Sequence, residues 1–239
     1  MAKNNLETEQ KIELSREDLE KAFAFFKPLR DSDISVKSHP RDYYDTKDQK
    51  LRQTCKSTMR VEHKEKGGYA LTIKKSQPRD GNSKVDLEWE FESASRVPKY
   101  GDISNAQALK TVSDIDETDL RHLFTTNVPA PKFQMDIDLK DGQKGRVEIS
   151  FDVGEIYLSP KYQIKFNCFA RITVCEIEVE YVSGDKAALD YVAKQILDLC
   201  PSAKITQTGK GSRGAKLYTQ AKATYENAPK ISKSSKKAS

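Results

Sequence analysis

The sequence predicts an α+β fold in which antiparallel strands close into a barrel or tunnel with flanking helices. Many segments alternate charged and apolar residues with the period of two that strands show, and Glu176, Glu178 and Glu180 are the clearest case. Amphipathic helical segments flank these strands. The strands carry so many acids and bases on one face that we expect the sheet to close around them.

The predicted elements begin with a strand over 10–14. It runs into Ser15, which has the spacing of a helix-capping box with Asp18. The helix that follows is predicted to end at Phe26, because Pro28 cannot continue a helix.

The middle of the chain is predicted to alternate strands with short helices. Polar and apolar alternation predicts strands over 34–38, 57–64, 69–75, 84–91, 132–139, 145–152 and 164–182. Glycine-containing turns at 66–68 and 140–142 predict hairpins. Helices are predicted over 104–111 and 117–124, where Asp116 and Glu117 place negative charge at the start of the second.

Residues 185–200 are the clearest predicted helix. Its apolar face is formed by residues at helical spacing, namely Leu189, Val192, Ile196 and Leu199. A last strand is predicted over 203–207.

Length and composition favour a folded protein that does not cross a membrane. The 239 residues are 36% hydrophobic and 32% charged, and they contain no apolar run of the ~18 residues that a membrane helix needs. The N-terminus has no signal-peptide pattern, so we expect a cytoplasmic protein. We expect the four scattered cysteines to be free thiols: Cys55, Cys168, Cys175 and Cys200.

Three segments are predicted along the chain: an N-terminal extension over 1–9, a folded domain over 10–220 and a basic disordered tail over 221–239. Lysines of the tail contribute to the net charge of +5, and the rest is close to neutral. We therefore expect no dedicated nucleic-acid surface, only weak contacts through the tail. The oligomeric state stays open.

The row of Glu176, Glu178 and Glu180 has two interpretations. Three like charges on one strand face repel each other unless water or a cation lies between them, and a hard cation such as magnesium is a common reason for such a row. Alternatively, the row is simply the solvent-facing side of an ordinary antiparallel strand.

Several motifs in chain order resemble the CYTH superfamily, the triphosphate tunnel metalloenzymes, and in particular its bacterial inorganic triphosphatases. Tyr43 to Arg52 is similar to the family's Y-F-D-T-x-D-x-x-L, and Leu71 to Lys74 to its L-T-x-K. Val147 to Ile156 resembles I-E-x-x-x-D-x-G-x-I. Glu176 to Tyr181 is similar to a metal-binding strand, and the segment from Lys210 to Gly214 to S-K-x-x-R-G.

The resemblance implies an eight-stranded antiparallel tunnel that holds a triphosphate-containing small molecule with Mg²⁺ or Mn²⁺. It implies phosphate binding by the cations at matching positions, which are Arg60, Lys74, Lys210 and Arg213. It implies metal binding by Glu13, Glu176 and Glu178, with Asp152 and Lys74 as catalytic residues. In this family the metal polarises a terminal phosphoryl group and positions the attacking water.

The chain also departs from the family pattern, most clearly at the opening E-x-E-x-K signature. Aligned to residues 11–15, the signature keeps only Glu13, while Lys11 and Ser15 replace a metal carboxylate and a phosphate-binding lysine. We call this a degenerate first-strand signature.

Two functions therefore compete. The first is a divergent metal-dependent triphosphatase acting on inorganic triphosphate or a small organic triphosphate. The second is a catalytically inactive protein of the same fold that binds a nucleotide, a polyphosphate or a protein partner. A cyclase would need a base-binding pocket, and no sequence feature indicates one.

Overall fold

The structure, a computed structural model, describes residues 6–37, 39–65 and 67–228. Its strands are β1 Leu6–Glu13, β2 Ser35–Lys37, β3 Arg41–Asp45, β4 Ser57–His63, β5 Tyr69–Ser76, β6 Lys84–Ser93, β7 Arg121–Asn127, β8 Ala130–Asp138, β9 Lys144–Leu158, β10 Arg171–Gly184 and β11 Lys204–Thr206. Its α-helices are α1 Arg16–Phe26, α2 Lys50–Gln53, α3 Ala106–Val112, α4 Pro160–Phe166, α5 Ala187–Leu199 and α6 Lys210–Asn227.

Eight of these strands close into an antiparallel barrel, as the sequence predicts. The ring runs β10-β1-β6-β5-β4-β3-β7-β9, and β9 pairs again with β10. The long β9 pairs with β7 along one half and with β8 along the other, and β2 adds to β8. Strand β11 adds to β1 outside the ring.

The hydrophobic cores lie outside the barrel, between the sheet and the helices. Ile12, Ile177 and Val179 pack beneath α1 and α5. Two further clusters form beneath α6 with α4, and beneath α3. Because alternate residues of a strand point to opposite faces, burying the apolar face outward leaves the charged face to line the interior.

Two predicted elements are wrong in type. Residues 117–124 were expected to form a helix, but the structure has one 3₁₀ turn, Glu117–Asp119, followed by β7. The β-branched and aromatic residues of β7 suit a strand, and β7 is held between β3 and β9. The strand expected over 164–182 begins only at Arg171, because Pro160 starts α4 at a position that favours helix N-termini.

The ends of the chain also differ from expectation. Strand β1 begins at Leu6, four residues before the predicted start, and α6 was not predicted at all. The tail beyond residue 228 and Lys66 of the predicted hairpin turn lie outside the described residues. Among the described helices, none combines the length and the apolar character needed to cross a membrane.

Candidate functional site

The inward-facing side chains line a cavity of about 1160 Å³ that is rich in charged residues. Among the described residues, nine acidic and nine basic side chains line it. The acids are Glu7, Glu9, Asp86, Glu88, Glu90, Glu148, Asp152, Glu178 and Glu180. The bases are Lys11, Arg41, Arg52, Lys56, Arg60, Lys74, Lys84, Lys132 and Lys210. Equal numbers of opposite charges leave the lining close to neutral.

The two signs of charge are partly separated around the ring, although Lys11 on β1 and Lys84 on β6 lie among the acids. Acids come mainly from the consecutive strands β6, β1, β10 and β9, whereas Lys74, Arg60 and Arg41 come from the consecutive strands β5, β4 and β3. The tunnel therefore has an acidic wall and a basic wall facing each other. A polyanion suits the basic wall, and a cation suits the space between that anion and the acidic wall.

One acidic cluster lies where β1 and β6 meet and consists of Glu7, Glu9 and Asp86. One carboxylate oxygen from each lies within 4.8 Å of the others. Each acid has a basic neighbour: Lys74 contacts Glu7, Lys84 contacts Asp86, and Glu9 lies 2.6 Å from Lys11 and 3.6 Å from Lys84. Among the described residues, no single cation contacts all three acids.

Two carboxyl groups of the acidic wall have strongly raised pKa values. Burial raises the pKa of Glu7 to about 8, although Lys74 opposes it, and the charges of Glu9 and Glu180 add to the increase. Burial together with neighbouring Glu148 raises the pKa of Glu180 to about 7. Glu180 faces Glu9 directly across the β1–β10 pair. This part of the wall holds protons when no cation is bound, so a divalent cation has protons to displace.

The second acidic cluster consists of Asp152, Glu176 and Glu178, again with one oxygen from each within 4.8 Å of the others. The ammonium of Lys210 contacts Asp152 and lies 2.7 Å from Glu176 and 2.8 Å from Glu178. Burial alone would lower the pKa of Lys210, but the three carboxylates raise it well above its ordinary value. This cluster is already neutralised by the chain itself.

Cations of the basic wall are held in place by acids of the nearby strands β6 and β1. Lys74 contacts Glu7 and lies 2.6 Å from Glu88, and Arg60 lies 3.4 Å from the same Glu88. Glu7 and Glu88 overcome the effect of burial on Lys74 and hold its pKa above the ordinary range. Tyr43 and Glu88 do the same for the pKa of Arg60. Both side chains are therefore charged at every physiological pH.

The donor set fits a hard divalent cation. Each acidic cluster contains carboxylate oxygens, the ligands that magnesium and manganese prefer. Each cluster contains a buried oxygen with no hydrogen-bond partner among the described residues, Oδ1 of Asp86 in the first and Oδ1 of Asp152 in the second. Oε1 of Glu176 also has no hydrogen bond, but it lies 2.7 Å from the Lys210 ammonium. A buried carboxylate oxygen without a partner is costly, and a cation or an ordered water satisfies it.

The structure brings most of the predicted site residues together. Arg60, Lys74, Lys210, Asp152 and Glu178 all line the cavity. Glu176 is fully buried beside Lys210, and Arg213 contacts its other side. Glu13 pairs with Glu176 across β1 and β10 but is not part of the cavity lining: its side chain is 47% exposed and is 3.6 Å from Lys204.

The sequence analysis missed the contribution of β1. The residues that reach the tunnel from this strand are Glu7, Glu9 and Lys11, and together they form E-x-E-x-K. The placement of the opening signature at 11–15 is therefore corrected, since Ser15 caps α1 there. The signature is complete four residues earlier. The alternation in Glu7-Thr8-Glu9-Gln10-Lys11 was the signal that could have shown it.

Comparisons with known proteins agree with this geometry. The profile of the CYTH domain matches residues 5–214. No curated protein sequence matches the chain.

Several solved structures resemble the chain at low sequence identity. HpAC1 from Hippeastrum, described as an adenylyl cyclase candidate with a dominant triphosphatase activity, is 13% identical with a TM-score of 0.57, over 88% of this chain and 95% of its own. A mimivirus capping enzyme triphosphatase is 11% identical with a TM-score of 0.46, and the match covers 82% of this chain and 90% of the mimivirus chain. An adenylate cyclase candidate from Vibrio parahaemolyticus is 11% identical with a TM-score of 0.41, and the match covers 91% of this chain and 99% of the Vibrio chain. At such identities, the likeness to HpAC1 shows a shared fold.

Proposed function

The chain belongs to the CYTH family, and from that premise we propose that it is a metal-dependent triphosphatase acting inside its charged tunnel. The observation that carries the proposal is the facing pair of walls, one acidic and one basic. A protein that bound only a cation, or only an anion, would need just one of them. A substrate that is a polyanion bound with a divalent cation uses both.

The near-neutral lining supports a requirement for metal. A triphosphate carries several negative charges, and the nine acids of the lining would repel it if the nine bases alone attracted it. A divalent cation on the acidic wall converts that repulsion into attraction. We therefore propose Mg²⁺ or Mn²⁺ as the cofactor and a triphosphate-containing small molecule as the substrate.

We place the metal on Glu7 and Glu9, with Asp86 and Glu180 beside them. One carboxylate oxygen from each of Glu7, Glu9 and Asp86 lies within 4.8 Å of the others. Among the described residues, no single lysine contacts all three acids. Burial, with the charges of neighbouring carboxylates, raises the pKa values of Glu7 and Glu180, and this supports a site where a cation would replace protons. The expected role of Glu176 and Glu178 as metal ligands stays a prediction that depends on Lys210 moving away.

The other roles follow from position. Arg60 and Lys74 would donate hydrogen bonds to phosphate oxygens, and the charge of Lys74 would stabilise the negative charge that develops during transfer. Asp152 would accept a hydrogen bond from the attacking water, and its Oδ1, which has no partner among the described residues, supports that role. A bound divalent cation would supply the positive charge that polarises the terminal phosphoryl group.

The test is phosphate release from inorganic triphosphate and from a nucleoside triphosphate, with Mg²⁺ and with Mn²⁺. We expect turnover by the wild type and a loss on the order of 100-fold in Lys74→Met, because an electrostatic contact to the transition state is removed. Lys75→Met is the matched control, since its side chain lies on the opposite face of β5.

Two outcomes would contradict the proposal. The first is no metal-dependent release from any triphosphate by folded wild type, which would favour binding without turnover. The second is equal activity of the Lys74 and Lys75 variants, which would show that Lys74 on the basic wall does not contribute to catalysis.

A further inference from the structure

We infer that Lys210 is a tethered internal cation that fills a second divalent-cation site formed by Asp152, Glu176 and Glu178. The inference rests on the proposed function only in assuming that divalent cations enter the tunnel. It adds a competitor for them that is part of the chain.

The geometry of the cluster is that of a cation site with its cation in place. Three carboxylate oxygens converge within 4.8 Å, and the Lys210 ammonium contacts all three acids. Asp152 and Glu176 are almost completely buried, and Lys210 is only 9% exposed. Such buried acids need a positive charge between them, because isolated buried carboxylates are very costly.

The remaining charges around the cluster leave room for a stronger cation. Arg213 contacts Glu176 from behind, and Lys11 contacts Glu178 while lying 2.6 Å from Glu9. Without Lys210, the three acids would keep Arg213 as a partner and would share Lys11 with Glu9. Their negative charges would then outnumber the positive charges, so the cluster would carry a net negative charge. Oδ1 of Asp152 is buried and has no partner among the described residues, so it offers a further ligand oxygen.

The position of Lys210 would allow substrate binding to draw its ammonium away from the three carboxylates. It is the first residue of α6, with Gly209 before it and Gly211 after it, and its stem enters the tunnel from the helix end. A phosphate oxygen that draws the ammonium towards the basic wall would uncover the three carboxylates. Substrate binding and occupation of the second cation site would then favour each other.

The experiment counts Mn²⁺ bound to the full chain by electron paramagnetic resonance and by titration calorimetry, without substrate. We expect Lys210→Met and Lys210→Gln to bind one Mn²⁺ more than the wild type. Lys132→Met is the matched control, since Lys132 lines the same cavity but contacts Glu148 outside both clusters. It should bind the same number as the wild type, and adding Asp152→Asn to Lys210→Met should remove the extra ion.

Every outcome is informative. Equal stoichiometry in wild type and both folded Lys210 variants overturns the inference. If both variants are unfolded, Mn²⁺ should refold them by replacing the lost charge, and failure to do so at millimolar Mn²⁺ also overturns it. If the wild type binds no Mn²⁺ but the Lys210 variants bind one, the inference stands and the metal site proposed on Glu7 and Glu9 fails.

Discussion

At the scale of single residues, the molecule places buried charges only where opposite charges or hydrogen-bond donors meet them. Asp42 on the outer face of β3 shows the same rule away from the tunnel. Its side chain is 1% exposed and accepts hydrogen bonds from Arg96 at 2.7 Å and Thr125 at 2.8 Å. His63 and His122 lie 3.3 Å and 3.2 Å away. The carboxylate thus ties three strands and one loop together.

The first prediction concerns Asp42→Asn. Burial would raise the pKa of Asp42, but His122, Arg96 and Thr125 hold it well below its ordinary value. The resulting stabilisation is complete above the unfolded pKa of about 3.9 and is lost as the pH falls further. We expect the variant to lose about 2–4 kcal/mol at pH 7, measured by denaturant unfolding, with a smaller loss below pH 4.

Asp48→Asn is the control, because Asp48 is 72% exposed and its pair with Lys222 is a surface one. That variant should stay within about 0.5 kcal/mol of the wild type. A similar loss in both variants, or a loss in Asp42→Asn that does not change with pH, would contradict this role for Asp42.

Single residues also show where sequence reasoning succeeded and where it did not. Lys74, Lys210 and Asp152 were chosen correctly as cavity residues, because each lies in a motif with fixed neighbours. Glu13 was misplaced because the alternation in β1 continues from Glu7 to Glu13, so several registers fit the same pattern. Pairing with β10 does not decide between them, since it puts Glu9 opposite Glu180 and Glu13 opposite Glu176. Burial does: Glu9 is buried in the cavity lining, whereas the side chain of Glu13 is 47% exposed.

At the scale of secondary-structure elements, α6 determines where Lys210 lies. It packs on β7 through Gly214, where a Cβ atom would lie 2.2 Å from the ring of Phe124. The chain needs glycine here because the helix and the strand approach so closely. The helix was not predicted since its first five residues include Gly211 and Gly214, and glycine is a poor helix former. Tertiary packing on β7 compensates for that propensity.

The second prediction concerns Gly214→Ala. The added methyl group clashes with Phe124, so we expect α6 to shift and the free energy of unfolding to fall by about 1–3 kcal/mol, even though alanine favours helix. Denaturant unfolding measures the loss. Gly101→Ala is the control, because nothing lies within 4 Å of its added Cβ atom. Unchanged stability of Gly214→Ala would show that α6 does not pack as described.

At the scale of the whole molecule, the barrel concentrates charge inside and hydrophobic cores outside. The closed antiparallel barrel was predictable, since alternation along many strands and the family motifs both indicated it. The segregation of acids and bases was not, because it depends on ring order, and β1 pairs with β6 and β10, which are distant in sequence.

The third prediction is that the metal-free protein becomes less stable as the pH rises from about 5 to about 8.5. In the folded chain the pKa of Glu7 is raised to about 8 and that of Glu180 to about 7. In the unfolded chain both carboxyl groups have the ordinary glutamate pKa of about 4.3. Between these two limits the folded chain therefore binds more protons than the unfolded chain. Stability falls with pH wherever that is so. Mn²⁺ requires deprotonated ligands, so its stabilising effect should grow over the same range.

Calorimetric melting temperatures with a chelator and with Mn²⁺, across this pH range, test the prediction. Glu13→Gln should follow the wild type, because Glu13 lies outside the cavity lining. A melting temperature that does not depend on pH, or an effect of Mn²⁺ that is equal at pH 6 and pH 8.5, would contradict the assignment of these protons.

The central claim is that the carboxylates of β1 hold the metal of a triphosphatase. The most direct measurement is metal-dependent phosphate release by Glu9→Gln and Glu13→Gln, which alter the same strand in the same way. We predict a loss on the order of 100-fold in Glu9→Gln that higher Mn²⁺ partly restores, and activity close to wild type in Glu13→Gln. Loss of activity in Glu13→Gln with Glu9→Gln unaffected would contradict the claim.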